Sequence, residues 1–533
     1  MPPPRISLCL IVRDEEELLP RFLAHARGAW DELVAVDTGS VDATPRLLAE
    51  AGATVLRAPW RQDFAAARNV GLAAATGDWV LVLDPDELIS PECGAGVRSV
   101  VAMPDAGAAT LRMRNPLPHG SVREEKLLRL FRRDRSIRFR KAIHETVGDE
   151  VARFVARHGL RVVEVPGTVE HLGYVRARMR AKQKTARDVA ILERCLAEDP
   201  LDLYRHFKRV EQGCMAADRA LWTRAAVGAA RAMEAAPARL RAAPFAGEMV
   251  ALVGEALHAG DPRAELRFLD RWRRRVPSSA ALLLRRGIVR ERLGLASARE
   301  DYERCRALAG TDAIEDRTTV RPLLGLARCA LARGDRDGAL ALAAQARAAA
   351  PRDPEALLLS ATLLWARGGR AALLGFARDH AASHGATPEL HAAVGEAALH
   401  AGAVDLAIGA LATAAGEPPS GSAGVLLAQA LLAAGDVGGA RALATRIAAE
   451  LPEAALGILL CDLVEGRDSL LEIELDPDDA DRALRRWVAA VRAAGDGAVV
   501  RRLRAAAPAV APPFGWLVSA LAPGALHDAA SRA

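Results

Sequence analysis

The chain has 533 residues, too many for one ordinary hydrophobic core, so the sequence predicts two or three domains. Hydrophobic residues make up 51% of the chain and charged residues 26%, which is typical of a globular protein rather than a disordered one. The net charge of +5 and the pI of about 9.0 are modest for this length. They allow binding to phosphates or acidic surfaces but give no reason to expect nucleic-acid binding.

The cysteines and the apolar runs indicate the compartment. The 7 cysteines never form a Cys-x-x-Cys pair, which argues against a disulfide framework and against a cysteine zinc site. The apolar run near the N-terminus is about six residues long, shorter than the core of a signal peptide. No later segment reaches the roughly twenty apolar residues of a membrane span. The sequence therefore predicts a cytoplasmic enzyme or scaffold without a membrane span.

Up to residue 175, short apolar runs alternate with helical stretches. The runs that we interpret as buried strands are residues 6–12, 32–37, 53–58 and 78–84. The stretches between them with helical periodicity are residues 14–26, 42–52 and 63–77, the last two ending at Gly52 and Gly77. This alternation predicts a parallel sheet with helices on both faces. Strands of mixed direction extend it at residues 108–113, 126–132 and 160–165.

The second part of the chain has a different period. One long helix is predicted at residues 176–199, and helix pairs with recurring turns follow. The first glycines of these turns are 34, 40, 34, 34 and 33 residues apart: Gly260, Gly294, Gly334, Gly368, Gly402 and Gly435. A period of about 34 residues is typical of a tetratricopeptide-type solenoid. The predicted divisions are an α/β domain, connecting helices with a first repeat, tetratricopeptide-like repeats, and capping helices: residues 1–175, 176–240, 241–470 and 471–533.

Three carboxylates follow one predicted strand, in the stretch "LDPDE": Asp84, Asp86 and Glu87. Ligands bind at the carboxyl ends of parallel strands, where Asp37 also lies in this prediction. Crowded carboxylates need cations or hydrogen-bond donors to remain ionised. One or two carboxylates together with substrate phosphates form the usual magnesium or manganese site.

The alternative is that these carboxylates only cap a helix. The same three letters at Asp476-Pro477-Asp478 precede a predicted helix and need no further explanation. At Asp84 this alternative is weaker, because an apolar strand precedes it and a better helix start, Ser90-Pro91-Glu92, follows.

A specific resemblance extends over roughly residues 5–200. The stretches that carry it occur in the order "SLCLIVRDEEELLPRFL", "DELVAVDTGSVDAT", "WRQDFAAARNVGLAAATGDWVLVLDPDE", "LLRLFRRDRSIRFRKAIHETV" and "VEHLGY". Together they resemble bacterial family 2 glycosyltransferases of the GT-A fold, particularly the branch with appended tetratricopeptide repeats. The chain departs from the family pattern at Asp14, Val41 and Pro85, where asparagine, threonine and alanine are common. None of these differences removes a charged group expected to do chemistry.

The resemblance implies that a sugar is moved, with inversion, from a nucleotide donor such as a UDP-sugar. Asp37 would hold the uracil or ribose end of that donor. Asp63, Arg68 and Asn69 of "DFAAARN" would lie beside the nucleotide. For Arg68, a surface position or an ion pair on the helix is an open alternative.

A divalent metal, Mn²⁺ or Mg²⁺, is the cofactor that the resemblance implies. Asp84 and Asp86 would form the DxD motif, with Asp86 the more direct metal contact. Glu87 would support the loop as a hydrogen-bond acceptor. His171 of "EHLGY" resembles a histidine that contacts the metal or the diphosphate in many members, and imidazole suits manganese better than magnesium.

Inverting transfer needs a base that takes the proton of the acceptor. Glu145 of "AIHETV" is the residue that the resemblance favours, and His144 is the second candidate. In the alternative reading, both side chains only stabilise a loop. Basic residues within 123–141 either assist the leaving diphosphate or form a solvated basic face.

The expected partners are the nucleotide-sugar and a peptide, protein or glycan acceptor that docks on the helical repeats. The sequence names neither the sugar, the acceptor nor the oligomeric state. One competing hypothesis is a repeat scaffold with a catalytically inactive nucleotide-sugar fold. Another is a nucleotidyltransferase, which loses support because no glycine-rich, lysine-bearing phosphate loop follows the first strand.

Overall fold

The computed structural model describes residues 3–116, 122–172, 177–216, 218–310, 314–467, 477–495 and 497–506. The chain divides into two compact units, residues 1–322 and 323–533. The first unit contains the α/β domain and the first group of helices, and the second unit is helical. The predicted order of an α/β domain followed by an all-helical region is therefore confirmed.

Among the described residues, eight strands form one sheet. They are β1 (Ile6–Val12), β2 (Glu32–Asp37), β3 (Thr54–Arg57), β4 (Trp79–Val82), β5 (Glu87–Ile89), β6 (Ala106–Pro116), β7 (Val122–Arg132) and β8 (Arg161–His171). The strand order is β3-β2-β1-β4-β7-β6-β8-β5, and β3, β2, β1 and β4 are mutually parallel. β7 is antiparallel to β4 and β6, whereas β8 is parallel to β6. The predicted parallel sheet with an extension of mixed direction is confirmed.

Helices cover both faces of this sheet, as predicted. They are α1 (Leu19–Ala26), α2 (Thr44–Glu50), α3 (Phe64–Ala74), α4 (Pro91–Val101) and α5 (Gly148–His158). α1 and α4 pack on one face, where Leu8 and Leu10 of β1 point; α3 and α5 pack on the other, where Cys9 points. The alternation of side chains along β1 places these residues on opposite faces.

Three local predictions differ from the structure. α1 begins at Leu19 rather than at residue 14, because the backbone N–H groups of residues 14–16 donate to side chains of the loop after β2 and of the first residue of α2. α3 ends at Ala74 rather than Gly77, because Thr76 N donates to Glu32 and Gly77 N donates to the Ser7 hydroxyl, which draws the chain out of the helix. β5 was not predicted. It has only three residues and begins with an acid, so the sequence pattern suggests a loop, and pairing with β8 makes it a strand.

The helices of the first unit follow β8. They are α6 (Ala177–Glu198), α7 (Leu203–Met215), α8 (Arg219–Ala235), α9 (Pro237–Ala242), α10 (Ala246–His258), α11 (Pro262–Arg273), α12 (Ala280–Arg292) and α13 (Ala298–Arg306), with a short 3₁₀ helix at Glu315–Arg317. Phe207, Met249 and Trp272 contribute to a continuous apolar core between them. Several of these helices begin with an aspartate cap; Asp261, for example, accepts from Ala264 N at the start of α11.

The second unit continues with helices of similar length. They are α14 (Val320–Ala332, whose first residues belong to the first unit), α15 (Arg336–Ala349), α16 (Pro354–His384), α17 (Pro388–His400), α18 (Val404–Ala415), α19 (Gly421–Ala434), α20 (Val437–Ile447), α21 (Ala455–Glu465), α22 (Pro477–Ala493) and α23 (Ala498–Ala506), with a 3₁₀ helix at Pro452–Ala454. Consecutive helices pack against each other from α16 to α21. The predicted turn glycines lie between paired helices, or at the kink of α16 in the case of Gly368. Residues 468–470 of the predicted repeats and residues 471–476, 496 and 507–533 of the predicted capping segment lie outside the described residues.

By length and composition, one described helix, α16, is long and apolar enough to cross a membrane. Its backbone leaves the helical conformation at Gly368 (φ −148°, ψ 21°) and Gly369 (φ 59°, ψ −149°). α16 therefore consists of two shorter helices joined by the turn that the repeat spacing predicts, and each is shorter than the roughly twenty residues of a span.

A glycine in β8 allows α4 to approach the sheet, and this leads to a prediction about stability. Gly167 has a φ of +84°, and an added Cβ would lie 2.5 Å from Cys93 N. Gly159 also has a positive φ, +64°, but its Cβ would meet open space. We expect Gly167→Ala to lower the melting temperature of the full chain clearly more than Gly159→Ala. Both alanines bear a backbone cost of about 1–2 kcal/mol, and a clash at Gly167 adds about 1–3 kcal/mol.

Thermal unfolding followed by circular dichroism at one protein concentration compares the two variants directly. Equal shifts of the melting temperature would show that the close approach of β8 and α4 does not constrain this position.

Candidate active site

The candidate site lies at the carboxyl edge of the parallel strands. β2 ends at Asp37, and Asp84 follows β4 by two residues. β1 lies between these two strands, so the two carboxylates are about two strand spacings apart, or roughly 10 Å. This is the edge at which open α/β sheets bind their ligands.

A buried arginine holds two of the predicted residues together. Arg68 lies on α3 with only 5% of its side chain exposed. Its Nη2 donates to Asp84 Oδ1 at 2.8 Å, and its Nε donates to Glu145 Oε1 at 2.9 Å. Burial alone would lower the pKa of Arg68, but Asp84 and Glu145 outweigh burial and raise it. Arg68 is therefore a buried, ion-paired residue rather than a surface one, and its place beside the nucleotide stays a prediction.

Asp84 receives a second cation from the next strand. Arg129 of β7 brings its Nη2 to 3.7 Å from Asp84 Oδ2. Burial would raise the pKa of Asp84, but Arg68 and Arg129 outweigh it and lower this pKa to about 2. The side chain of Asp84 is 35% exposed, so a ligand can still approach it. The two arginines therefore stabilise the ionised form of Asp84 before any ligand binds.

Glu87 supports the loop from inside, as predicted for a hydrogen-bond acceptor. It is 2% exposed, its Oε2 accepts from Asp84 N at 3.0 Å, and its Oε1 forms an ion pair with Arg129. Glu87 N in turn donates to Asp84 O at 2.9 Å, which closes the turn. These reciprocal bonds fix the backbone of the two residues between Asp84 and Glu87, which are Pro85 and Asp86.

Asp86 faces a different partner. His171 Nε2 lies 3.2 Å from Asp86 Oδ2, and His171 Nδ1 lies 2.7 Å from Asn115 Oδ1. The pairing of β5 with β8 places His171 opposite Glu87, next to Asp86 in the chain. Burial would lower the pKa of His171, but the hydrogen bond and charge of Asp86 outweigh burial and raise it. The structure thus brings together two of the three residues predicted as metal ligands, Asp86 and His171, whereas the third, Asp84, pairs with Arg68.

Asp37 organises the neighbouring loop. Its carboxylate is buried, and Oδ1 accepts from Gly39 N at 3.2 Å and from Ser40 N at 2.9 Å. The loop after β1 is tied to this one, because Asp14 N donates to Ser40 Oγ and Asp14 Oδ1 accepts from Val41 N. Val41 itself is 93% exposed. The departures from the family pattern at positions 14 and 41 are therefore compatible with well-connected loops.

Asp63 and Asn69 have local structural partners. Asp63 caps α3 by accepting from Ala66 N at 2.8 Å. The Asn69 amide donates to Phe139 O at 3.0 Å and accepts from Phe139 N at 2.9 Å. Contact of either side chain with a nucleotide stays a prediction, whereas their role in fixing α3 and the segment before Glu145 is visible.

The loop that contains Glu145 is held by helix α7. Lys141 and His144 have positive φ values of 72° and 53°. The ring of Tyr204 lies edge-on to His144 at 5.8 Å, and Lys141 Nζ lies 5.3 Å from the centre of the Tyr204 ring. Burial and the charge of Lys208 lower the pKa of His144 to about 4. His144 is therefore a neutral side chain packed against α7 at neutral pH.

α6 packs on the same side of the α/β domain. Ile191 and Leu192 are fully buried in a cluster with Trp60 and Phe64, which flank the N-terminus of α3. Arg194 donates to Gln62 O at 2.7 Å. The first helices after the α/β domain are therefore part of the structure that supports the site.

The chemistry of the donor set fits a divalent metal only when a substrate contributes. Among the described residues, no group of three or more His, Cys, Asp or Glu side chains is arranged to hold a metal ion. Asp86 and His171 provide two ligands, which matches sites that are completed by phosphate oxygens and water. Donation from His171 Nδ1 to the amide oxygen of Asn115 leaves Nε2 facing Asp86, the orientation that a metal-binding imidazole needs.

Three residues of the site were missed by the sequence analysis: Arg129, Asn115 and Tyr204. Arg129 lies in the basic stretch 123–141, for which the sequence leaves open an assisting role or a solvated face. The sequence does contain an indication of its role, because leucines flank Arg129 in a predicted strand and an arginine in such surroundings needs a buried partner. Asn115 and Tyr204 are distant in sequence from the residues that they contact, and no local pattern indicates them.

We expect Arg68→Met to destabilise the full chain strongly. The variant leaves Asp84 and Glu145 without their shared cation, and removal of one partner from a buried ion pair costs about 3–5 kcal/mol. Arg46→Met is the matched control, because Arg46 pairs with Glu50 at 2.8 Å but is 67% exposed. Such a surface pair contributes at most about 1 kcal/mol. Urea unfolding followed by circular dichroism measures both, and equal losses would contradict the central role of Arg68.

A pH dependence follows from His144. Its pKa in the folded chain is about 4, below the ordinary 6.5. The unfolded chain therefore binds the proton more readily, and stability falls as the pH decreases from about 6.5 towards 4. We expect His144→Asn to lose less melting temperature than the wild type between pH 7 and pH 5. Asparagine tolerates the positive φ at this position, and equal losses in both proteins would show that His144 is not buried as a neutral ring.

Comparisons with known proteins identify the region that contains this site. Residues 7–146 match the family described as glycosyl transferase family 2. A TPR repeat-containing protein from Synechococcus elongatus is 44% identical over 202 residues, which are 38% of this chain and 50% of that protein. An uncharacterized glycosyltransferase from Rickettsia typhi is 31% identical over 88 residues, 16% of this chain and 30% of that protein.

A solved structure of glucosyl-3-phosphoglycerate synthase from Mycobacterium tuberculosis superposes with a TM-score of 0.25 and 18% identity, over 36% of this chain and 79% of that one. The chain spans half or less of the length of these curated relatives. The family match covers β1 to β7 and the loop of Glu145, and it confirms the resemblance drawn from the sequence motifs. The N-terminal region of this chain is thus a glycosyltransferase family 2 domain, and a helical repeat region follows it.

Proposed function

We propose that this protein is an inverting, metal-dependent glycosyltransferase that moves a sugar from a nucleotide donor to an acceptor. One observation carries the proposal: the strands of a family 2 domain bring Asp37, Asp84 and Asp86 to one edge of the sheet, next to Glu145 and His171. A structural protein has no need for so many carboxylates at the ligand-binding edge.

Asp86 and His171 would hold the metal together with the diphosphate of the donor. An imidazole ligand favours Mn²⁺ over Mg²⁺. When bound, the ion supplies positive charge that stabilises the leaving nucleoside diphosphate without protonation. Asp37, at the other end of the edge, would orient the ribose or uracil of a UDP-sugar.

Arg68 prepares Glu145 to act as the base. The ion pair holds Oε1 of Glu145, and no hydrogen-bond partner is present for Oε2 among the described residues. The side chain is 14% exposed, so an acceptor hydroxyl or amine can reach this oxygen. A carboxylate in this position takes the acceptor proton and contributes about 10²–10⁴-fold to the rate. His144 is the weaker candidate, since a pKa of about 4 makes it a poor base.

The acceptor would be a peptide, protein or glycan selected by the helical region. α6 and α7 pack on the α/β domain next to Asp63 and Glu145. This contact supports a role for the first helices in admitting the acceptor to the base.

A repeat scaffold with an inactive nucleotide-sugar fold is the second candidate. The observation that favours it is that Asp84 forms ion pairs with Arg68 and Arg129. These ion pairs leave fewer free carboxylates to bind a metal.

Calorimetry with Mn²⁺ and UDP, followed by a panel of nucleotide-sugars in a hydrolysis assay, tests the proposal. We expect Mn²⁺-dependent UDP binding that weakens about tenfold or more in Asp86→Asn, because a first metal ligand is lost. Asp478→Asn, within the same Asp-Pro-Asp sequence at the start of α22, is the matched control and should bind as the wild type does. Glu145→Gln should keep UDP binding and lose donor hydrolysis about 10²–10⁴-fold.

UDP binding that needs no metal, or that is unchanged in Asp86→Asn, would refute the metal site. Binding without hydrolysis or transfer of any donor in the panel would favour the scaffold.

A further inference from the structure

The second unit contains a pocket of about 260 Å³ between α16, α17, α19 and α22. α17 contributes Glu389, Glu396 and His400, whose spacing places them on one face of the helix. α19 contributes Val425 and Gln429 in the same manner. The pocket is therefore built from matching faces of helices in different repeats.

The walls of this pocket are apolar. Leu358, Val425, Leu426 and Trp487 line it, and Val425 and Trp487 belong to the buried core of the unit. Such walls can accommodate an aliphatic chain, for example the methylene stem of a long charged side chain.

Two polar side chains of the pocket lack hydrogen-bond partners among the described residues. Gln429 is only 5% exposed, and its amide has no hydrogen-bond partner among the described residues. Glu389 Oε2 is buried without a partner in the same part of the chain. Buried polar atoms are nearly always paired, and Glu389 Oε2 is an exception that needs an explanation. These two side chains lie on different helices and line the same space.

The unbalanced charge of the pocket is negative. Glu453 is matched by Arg486 at 3.4 Å. Glu396 has no ion pair within 4.0 Å among the described residues, and burial raises its pKa although His400 and Arg486 oppose this effect. Glu389 and Glu396 therefore share an apolar space that a cation would stabilise, and an anionic ligand would be repelled.

We propose that this pocket binds the cationic side chain of a polypeptide, with arginine as the preferred residue. A guanidinium offers five N–H donors, enough for two carboxylates and the amide oxygen of Gln429 together. Its aliphatic stem would pack against Leu358 and Leu426. The occupant is a polypeptide because stacked helical repeats present extended surfaces of this kind to polypeptide partners. The inference concerns the helical unit alone and does not depend on sugar transfer.

Fluorescence anisotropy with the full chain tests the pocket. The probe is a fluorescein-labelled nonapeptide, Gly-Ser-Gly-Ser-Arg-Gly-Ser-Gly-Ser, and its counterpart carries citrulline, a neutral isostere, in place of arginine. We expect the arginine peptide to bind and the citrulline peptide to bind at least about tenfold more weakly, the usual effect of a charge-assisted hydrogen bond. Glu396→Gln and Glu389→Gln should each weaken the arginine peptide to a similar degree.

Asp379→Asn is the matched control, because it removes one carboxylate from α16 in the same unit at a position that is 81% exposed. It should bind the peptide as the wild type does, and melting curves check that all variants fold. Equal binding of the two peptides, unchanged binding in both glutamine variants, or no binding up to millimolar peptide would overturn the proposal. Spermidine binding more tightly than the peptide would overturn the assignment to a polypeptide.

Discussion

The guanidinium of Arg68 is the interaction on which the candidate site depends. It lies at the point where α3, the loop after β4 and the loop before α5 meet, and it bonds to one carboxylate from each loop. Without this guanidinium, the carboxylates of Asp84 and Glu145 would lie close to the core without the cation that they share, which is unfavourable. The same two bonds set the position of Asp84, which lies near the proposed nucleotide-sugar donor, and of Glu145, the proposed base for the acceptor. One residue of a helix therefore couples the two halves of the proposed reaction.

Around this cation, the loops of the sheet edge are connected by reciprocal hydrogen bonds. Glu87 and Asp84 exchange bonds within one loop, and Asp14 and Ser40 join the loops after β1 and β2. A site held on rigid strands and cross-connected loops needs little rearrangement when a ligand binds. Asp86 is the exception, since its partner is a histidine that a metal can recruit. The most adaptable contact of the site is thus located where the proposed cofactor would enter.

The helical region has two roles in this description. In the first unit, α6 and α7 complete the α/β domain, with Leu192 buried against Phe64 and Tyr204 packed on His144. In the second unit, the faces of successive helices enclose an acidic pocket in which Glu389 Oε2 is buried without a partner among the described residues. The first role is structural, and the second points to a cationic segment of another polypeptide. Both follow from the same repeat geometry, in which each helix exposes one face after packing with its neighbours.

The sequence by itself determined the strand–helix alternation, the bounds of β1 and β2, the 34-residue helical period and the placement of acids after strands. These features depend on side-chain periodicity and on turn glycines, which are local properties of the chain. The tertiary structure decided the partners: Arg68 with Asp84 and Glu145, Arg129 with Glu87, His171 with Asp86, and Tyr204 with His144. It also showed that Asp63 caps α3 and that Asn69 bonds to the backbone of Phe139, while their contact with a nucleotide stays a prediction. No local pattern specifies such pairs, because residues separated by tens of positions meet only when the sheet order and the helix packing have been set.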